Sequence, residues 1–174
     1  AESRGLGDVY KRQIHNSVDF ERFGVDPSAS WRRRRSIPKD KRLVLTPVRM
    51  LRKKGILDLV KAIPLIKTPI HWYVATSLKK GDLAFKKEVE DQIEKLRVKD
   101  KITLAYDEHN YSDMPQVYRN ADLFVLPSYF EGYPVSVIEG MTSKTPVIAS
   151  NIPGTVDIVE DGENGLLFTP GDVK

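Results

Sequence analysis

Short apolar runs alternate with longer amphipathic segments from residue 42 onward, and this alternation limits the fold of the 174-residue chain more than any other feature. The run Leu123–Leu126 is apolar throughout, as a central strand buried on both faces should be. The segment 82–98 instead repeats its apolar residues at helical spacing. Each connection between apolar runs is too long for a hairpin and suits a parallel βαβ unit. The pattern predicts an α/β fold with a Rossmann-like, doubly wound parallel sheet.

The predicted element order is βαβαβαβαβαβ. Strands are predicted at 43–45, 70–75, 102–105, 123–126, 146–149 and 166–168, and helices at 54–66, 82–98, 112–120, 134–143 and, for one or two turns, 155–160. The spacing of Asp82 from Lys86, and of Asp91 from Lys95, predicts i,i+4 ion pairs on the second helix. Ser112 is the predicted N-cap of the third helix.

The composition excludes several kinds of function. The chain has no cysteine, which excludes a disulfide scaffold, a thiolate metal site and a cysteine nucleophile. The three histidines, His15, His71 and His109, are too scattered in sequence for the spacing of a metal site. No Gly-x-Ser-x-Gly elbow, P-loop or Gly-x-Gly-x-x-Gly motif is present. We therefore expect no bound metal and no cofactor.

Positive charge is concentrated in the first third of the chain. Residues 1–54 carry 15 Lys and Arg against 6 Asp and Glu, whereas residues 55–174 carry 13 against 18. The densest run, Arg32–Arg35, is interpreted first as a solvated linker helix and second as a patch that binds a polyanion or an anionic membrane. No aromatic stacking motif accompanies the run, so we expect no nucleic-acid partner.

Three regions are distinguished along the chain. Residues 1–13 show no apolar periodicity and are interpreted as a cloning or sequence-junction remnant. Residues 14–41 are predicted to be a linker that leads into the domain, and residues 42–174 are predicted to be the domain itself. The absence of cysteine favours a cytoplasmic location of the protein.

The loop after the first predicted strand is rich in cations. It contains Arg49, Arg52, Lys53 and Lys54, followed by Gly55 and the start of a helix. Guanidinium and ammonium groups at the carboxyl end of a strand favour phosphate, and ligands of doubly wound sheets bind at that edge. A basic surface turn is the alternative interpretation.

A second loop, Pro127–Pro134, places two glutamates in different settings. Gly132 and Pro134 keep Glu131 in the loop and start a helix near Tyr133. The free N–H groups at the start of that helix favour an anion. Glu139 lies more than a turn into that helix, and its carboxylate can accept hydrogen bonds from the vicinal hydroxyls of a ribose. Gly154, before the last predicted helix, would let the backbone approach a ligand closely.

Five segments in this order resemble motifs of one known family. They are Asn16–Phe23, Val48–Gly55, Ala121–Ser128, the pair Glu131 and Glu139 separated by seven residues, and Gly165–Asp172. Together they resemble the C-terminal half of a retaining glycosyltransferase of family 4, which has the GT-B fold.

The resemblance implies a role for each matching residue. Arg49 and Lys54 would bind the diphosphate of a UDP-, GDP- or ADP-linked sugar, and they would offset the charge of the departing nucleotide without a metal ion. Glu131 would lie near the hydroxyls of the transferred sugar, and Glu139 would bind the ribose. The residues implied to be catalytic are Arg49, Lys54 and Glu131, and those implied to bind the donor are Arg49, Lys54, Glu131, Gly132, Tyr133, Pro134, Val135 and Glu139.

The resemblance also implies that the chain is part of a larger enzyme. An N-terminal domain would bind the acceptor for retaining hexosyl transfer, and the family continues beyond the position of Lys174, so we expect a truncated fragment without transfer activity of its own. The parent enzyme would be cytoplasmic, with peripheral contact at the cytoplasmic face of a membrane. The alternatives are a related GT-B epimerase or phosphorylase, and a non-catalytic module that binds a nucleotide or polyanion through Arg32–Arg35.

Overall fold

A computed structural model describes residues 16–174, so the interpretation of residues 1–13 falls outside the described residues. Its six strands are β1 (Arg42–Pro47), β2 (Ile70–Thr76), β3 (Ile102–Tyr106), β4 (Leu123–Leu126), β5 (Val147–Ser150) and β6 (Leu166–Phe168). They form one parallel sheet in the order β3-β2-β1-β4-β5-β6. This order confirms the predicted Rossmann-like α/β fold.

Within residues 16–174, six α-helices connect or flank the strands. They are α1 (Phe20–Phe23), α2 (Trp31–Arg34), α3 (Ile56–Ala62), α4 (Leu83–Leu96), α5 (Met114–Arg119) and α6 (Val135–Thr142), and short 3₁₀ turns lie at Arg52–Lys54, Ile63–Leu65, Lys80–Asp82 and Lys99–Lys101. Val89 and Ile93 of the predicted apolar stripe are buried on α4.

The ion pairs on α4 differ from the predicted ones. Lys86 pairs with Glu90 at 3.4 Å, and Lys87 pairs with Asp91 at 2.9 Å. Asp82 instead turns back to accept a hydrogen bond of 2.9 Å from the Lys79 backbone N–H. The ion pairs predicted for Asp82 and Asp91 were therefore wrong. Asp82 forms a local capping hydrogen bond instead, and Asp91 pairs with Lys87.

Two helix predictions also need correction. α5 begins after Asp113, and the Ser112 and Asp113 N–H groups both donate to the side chain of Asn110, so Ser112 is not the N-cap. The segment 155–160 forms turns and no helix, since the Thr155 hydroxyl donates to the Ser150 and Ile152 carbonyls and is committed to the loop.

The segment predicted as a linker packs into the domain over its described part. Phe23, Trp31 and Ile37 are buried and belong to the same core as the sheet. The ring centroid of Trp31 lies 5.4 Å from that of Tyr73 on β2, in edge-to-face geometry. Residues 16–41 therefore contribute to the core rather than only leading into it.

The strand order reverses between β1 and β4, which pair side by side. The loops that follow these two strands therefore meet at the carboxyl edge of the sheet, where doubly wound folds form a crevice. The Tyr129 N–H donates to the Lys53 carbonyl at 2.8 Å and joins the two loops. Gly55, with φ +70°, lies so close that a Cβ there would be 2.1 Å from the Pro127 carbonyl oxygen.

Candidate functional site

The loops after β1 and β4, with the start of α6, enclose a cavity of about 290 Å³. Its walls include six of the residues that the sequence singled out, namely Arg49, Lys54, Glu131, Tyr133, Pro134 and Val135, together with Pro47, Val48, Leu126 and Ser136. The fold thus brings the cationic loop and the glutamate loop, which are some 80 residues apart in sequence, to one place.

Lys54 and Glu131 form an ion pair inside this cavity. The Lys54 Nζ lies 2.6 Å from Glu131 Oε1, and the two side chains are only 17% and 13% exposed. The Ser128 hydroxyl donates to the same Oε1 at 2.6 Å. Two donors therefore fix the orientation of the Glu131 carboxylate. The sequence analysis placed Ser128 in the loop Pro127–Pro134 but gave it no role, although its position two residues after β4 was a signal for one.

Arg49 is an exposed cation on the cavity wall. Within residues 16–174 its guanidinium makes no ion pair and no hydrogen bond, so it is available to an anion. Arg49 also lies on the wall of a neighbouring cavity of about 250 Å³, at the carboxyl ends of β1, β2 and β3. The two cavities share Pro47, Val48 and Arg49 as lining residues, and so lie next to each other.

The second cavity holds a polar cluster that the sequence analysis did not find. His109 Nε2 lies 2.7 Å from the Tyr73 hydroxyl, and the imidazole stacks on Trp31. Burial, and then the charge of Arg35, lower the pKa of His109, which favours its neutral form. Burial also raises the pKa of Tyr73 to about 12. His109 itself lies on the wall of this cavity.

The N-terminus of α6 faces the cavity through Val135 and Ser136. Pro134 precedes the helix with an extended backbone and caps it with no side-chain hydrogen bond. The N–H groups of a first helical turn have no intrahelical acceptor, and the helix dipole makes them attractive to an anion.

Gly132 is exposed and does not line the cavity, but its carbonyl is packed against another loop. Gly154 has φ +92°, and a Cβ at that position would lie 2.3 Å from the Gly132 oxygen and 2.9 Å from the Glu131 oxygen. Gly154 was predicted to let the backbone approach a ligand. In the structure it lets the loop after β5 approach the loop that carries Glu131.

Glu139 is buried and is not among the residues that line the cavity. Its Oε2 accepts a hydrogen bond of 2.7 Å from the hydroxyl of Tyr118, a residue that the sequence analysis missed. Burial raises the pKa of the Glu139 carboxyl, whereas the Tyr118 hydrogen bond and the charge of Arg22 lower it. A buried carboxylate held by one donor retains the capacity to accept further hydrogen bonds.

Two further cavities lie elsewhere on the described chain. One, of about 540 Å³, is lined by Arg52, Lys53, Gly55, Leu57, Asp58, Lys61 and Tyr129, and none of the residues implied to bind the donor lines it. A larger cavity, of about 720 Å³, lies over apolar side chains of the sheet such as Val44, Trp72 and Leu123, and none of the predicted site residues lines it. Across residues 16–174, no three His, Asp or Glu side chains are grouped so that they could hold a metal ion. Over the same residues, no helix has the length and apolar character needed to cross a membrane.

Known proteins are similar to this chain over most of its length. The family described as "Glycosyl transferases group 1" matches residues 28–174. CapM of Staphylococcus aureus, a capsular polysaccharide biosynthesis glycosyltransferase, is 27% identical over 159 residues, which are 91% of this chain and 41% of CapM. TuaC of Bacillus subtilis, a glycosyltransferase assigned to teichuronic acid biosynthesis, is 34% identical over 173 residues, 97% of this chain and 40% of TuaC.

Solved structures share the fold. HepE from Anabaena, crystallised in complex with UDP and glucose, superposes with a TM-score of 0.86 at 24% identity, over 92% of this chain and 43% of HepE. The C-terminal domain of LpcC, a group 1 glycosyl transferase from Francisella tularensis, gives a TM-score of 0.73 at 26% identity, over 90% of this chain and 82% of that domain. This chain spans about two fifths of the length of the curated relatives CapM and TuaC.

Proposed function

The chain belongs to the group 1 family of glycosyl transferases, and from this premise we propose that it forms the nucleotide-sugar-binding domain of an enzyme that transfers a hexosyl group with retention of configuration. The observation that carries the proposal is the convergence of Arg49, Lys54 and Glu131 with the start of α6 on one cavity. A doubly wound sheet binds its ligands at this edge, where the strand order reverses.

The positive groups of the cavity suit a diphosphate. Arg49 presents a guanidinium that no side chain among residues 16–174 pairs with, and the first turn of α6 adds backbone N–H groups and a helix dipole. When the bond between the sugar and the diphosphate breaks, negative charge grows on the leaving nucleotide. Fixed cations close to that charge lower the barrier most when they are held in place before the reaction. In this proposal Arg49 and Lys54 fill that role, so that no metal ion or other cofactor is required.

The two glutamates take different parts of the donor. Glu131, held by Lys54 and Ser128, would accept hydrogen bonds from hydroxyls of the transferred sugar. Glu139 would accept hydrogen bonds from the ribose, while Tyr118 holds its Oε2. The backbone N–H groups between Gly132 and Val135, to which Pro134 contributes none, would complete the cradle for the sugar and the phosphates. Catalysis would then rest on positioning and on electrostatic stabilisation of the leaving group.

The acceptor would be bound by another part of the parent enzyme, since the relatives are more than twice as long as this chain. We therefore expect the chain alone to bind donor nucleotides and to transfer little or no sugar. A cytoplasmic parent with peripheral contact at an anionic membrane surface fits the concentration of positive charge in residues 1–54.

Ligand-observed NMR of the chain with UDP, GDP and ADP tests this proposal. UDP is the first nucleotide to try, because HepE, which shares the fold, was crystallised with it. We expect one nucleotide to bind selectively, binding to survive chelation by EDTA, and Glu139→Ala to weaken it by about tenfold or more, as loss of hydrogen bonds to a charged group predicts.

Glu163→Ala is the matched control, because Glu163 is an exposed glutamate in a turn away from the cavity. A folded chain that binds none of the three nucleotides, or that binds one equally well without the Glu139 carboxylate, would overturn the proposal.

A further inference from the structure

The two glutamates assigned to the donor are each held by a hydroxyl group on one carboxylate oxygen. Glu131 Oε1 accepts from the Ser128 hydroxyl at 2.6 Å, and the Lys54 ammonium reaches the same oxygen at 2.6 Å. Glu139 Oε2 accepts from the Tyr118 hydroxyl at 2.7 Å. These three bonds leave the other oxygen of each carboxylate to accept from a ligand.

Both hydroxyl groups belong to fully buried residues. Ser128 and Tyr118 have no exposed surface, and neither lines the cavity between the loops after β1 and β4. A hydroxyl has one proton and an ionised carboxylate can only accept, so each hydroxyl gives its proton to its glutamate. Ser128 and Tyr118 can therefore act on a ligand in the cavity only through Glu131 and Glu139.

Ser128 is held in place by its chain neighbour. The N–H of Tyr129 donates to the Lys53 carbonyl at 2.8 Å, which joins the residue after Ser128 to the residue before Lys54. The two donors to Glu131 Oε1 thus come from backbone segments that are fastened to each other. The carboxylate meets both donors in one orientation.

Tyr118 is held in place by packing on both sides of its ring. Its ring centroid lies 5.8 Å from that of Phe23 on α1, in edge-to-face geometry, and 5.9 Å from that of Phe124 on β4, in stacked geometry. Its carbonyl accepts a hydrogen bond of 2.9 Å from the Thr145 hydroxyl. The hydroxyl of Tyr118 therefore reaches Glu139 Oε2 from a fixed position.

Burial alone does not give a hydroxyl group a glutamate partner. Ser143 and Ser150 are as fully buried as Ser128, yet their hydroxyl groups have no hydrogen-bond partner within residues 16–174. Tyr106 does donate to a glutamate, Glu90 on α4, at 3.2 Å, but neither residue lines the cavity. Ser143 and Tyr106 are thus natural controls for the two hydroxyl groups at the site.

We propose that Ser128 and Tyr118 are positioning residues for donor binding: Ser128 orients the Glu131 carboxylate for the transferred sugar, and Tyr118 orients the Glu139 carboxylate for the ribose. The proposal rests on the proposed function, which assigns each glutamate to its part of the donor. A carboxylate that is oriented in advance loses less side-chain freedom when the ligand binds, and the affinity is higher for that reason.

Two variants remove one hydroxyl group each and keep the rest of the side chain: Ser128→Ala and Tyr118→Phe. Ser143→Ala and Tyr106→Phe are the matched controls. Isothermal titration calorimetry measures the dissociation constants of UDP, which has the ribose alone, and UDP-glucose, which has the ribose and a transferable sugar. Amide NMR spectra confirm that each variant is folded.

The two variants should differ in which ligand they lose. Ser128→Ala should weaken UDP-glucose binding by about three- to tenfold, the cost of ordering one loose side chain, and should leave UDP binding unchanged. Tyr118→Phe should weaken the binding of both ligands by the same factor, because both contain the ribose. The controls should bind both ligands as the wild type does. Losses that are equal for the two ligands in Ser128→Ala would overturn its assignment to the sugar.

The same substitutions in a second background separate positioning from a general structural role. If Ser128 acts through Glu131, Ser128→Ala should cause no further loss of UDP-glucose affinity in a chain that already carries Glu131→Gln. Tyr118→Phe should likewise cause no further loss in a Glu139→Gln chain. A structural role would add the same loss in both backgrounds, and that result would overturn the proposal.

Crystal structures of the ligand-free variants measure the orientation directly. The carboxylate of the paired glutamate should turn by more than about 30°, or occupy two orientations, while the backbone stays in place. Ser128→Ala keeps this test open if Tyr118→Phe does not fold. Carboxylates that stay as in the wild type would overturn the proposal. Because these structures need no ligand, they decide it even if the wild-type chain binds neither UDP nor UDP-glucose, a result that would contradict only the proposed function.

Discussion

At the scale of single residues, the Lys54 ammonium group already forms an ion pair with Glu131. A diphosphate that binds in the cavity would therefore compete with the Glu131 carboxylate for the same cation. Removing the charge of Lys54 and removing the charge of Glu131 should therefore have opposite effects on diphosphate binding. In the proposed function the lysine would attract the phosphate, whereas the glutamate would repel it and would bind the sugar instead.

Lys54→Gln should weaken the binding of UDP by about tenfold to a hundredfold, the usual loss when one charge-assisted contact is removed. Glu131→Gln should leave UDP binding unchanged or make it tighter, because the ammonium is released to the phosphate. Isothermal titration calorimetry measures both, with Lys53→Gln as the control, since Lys53 is exposed beside Phe130. Equal losses in the Lys54 and Glu131 variants would contradict this account.

Glu139→Gln should make the chain more stable at neutral pH. Burial raises the pKa of the Glu139 carboxyl above its usual 4.5. In the interval just above pH 4.5, the carboxyl therefore keeps its proton in the native state but loses it in the unfolded state. Stability then falls as the pH rises through that interval, and the ionised carboxylate lowers the free energy of unfolding above it. The glutamine amide can still accept the Tyr118 hydrogen bond without carrying a charge.

Thermal unfolding measured from pH 4 to 8 tests this prediction. The gain in Tm of Glu139→Gln over the wild type should be largest above the native pKa and should shrink as the pH falls below about 4.5. A variant that is less stable than the wild type at pH 8 would show that the carboxylate is stabilised in the native state rather than penalised.

At the scale of elements, the site depends on how closely separate loops approach each other. Gly154 and Gly162 both have positive φ, +92° and +79°, but only Gly154 meets backbone atoms, those of Glu131 and Gly132. Alanine substitutions at Gly154 and Gly162 therefore separate two losses of stability: one from the left-handed backbone conformation, and one from steric overlap with a neighbouring loop.

Gly162→Ala should lower the free energy of unfolding by about 1 kcal/mol, the cost of a left-handed conformation. Gly154→Ala should lower it by roughly 2–4 kcal/mol, because the new methyl group also displaces the Glu131 loop, and it should weaken UDP binding as well. Urea unfolding and calorimetry measure the two effects. The prediction fails if both variants lose the same stability and bind UDP alike.

The four arginines of α2 and its C-terminus divide into two pairs. Arg32 donates to the Asn120 carbonyl at 2.9 Å and to Asp122 at 2.8 Å, and Arg35 lies over Trp31 at 4.3 Å. Arg33 and Arg34 are exposed. Half of the run therefore holds the segment onto the domain, which leaves a smaller patch for a polyanion than the sequence alone suggested.

Arg32→Ala should lower the free energy of unfolding by about 1–3 kcal/mol, because it leaves the half-buried Asp122 without its closest cation. Arg33→Ala should change the stability by less than about 0.5 kcal/mol, as substitutions of exposed residues usually do. Urea unfolding of the two variants side by side provides the measurement. Equal effects would restore the interpretation of the whole run as a solvated face.

At the scale of the whole molecule, the parallel sheet and the convergence of the two loops could be predicted from the sequence. Apolar runs such as Leu123–Leu126 mark buried strands, and parallel strands put the loops that follow them on one edge. The burial of Trp31 could not be predicted, since it lies in a basic, aperiodic stretch and packs on a distant strand. The direction of Glu139 within α6 could not be predicted either, because it depends on the position of Tyr118 on another helix.

The seam between β1 and β4 has a consequence for how the chain is made. The Thr46 hydroxyl donates to the Val125 carbonyl, 79 residues further along. At the usual rate of protein synthesis, about 5–20 residues per second, that partner leaves the ribosome roughly 4–16 seconds after Thr46. Of the two strands that flank β1 in the sheet, only β2 is synthesised within this interval, so the edge of β1 that pairs with β4 stays open to any neighbouring strand. Nascent chains of this protein should thus be most prone to aggregate before residue 126 emerges from the ribosome, and less prone once β4 has paired with β1.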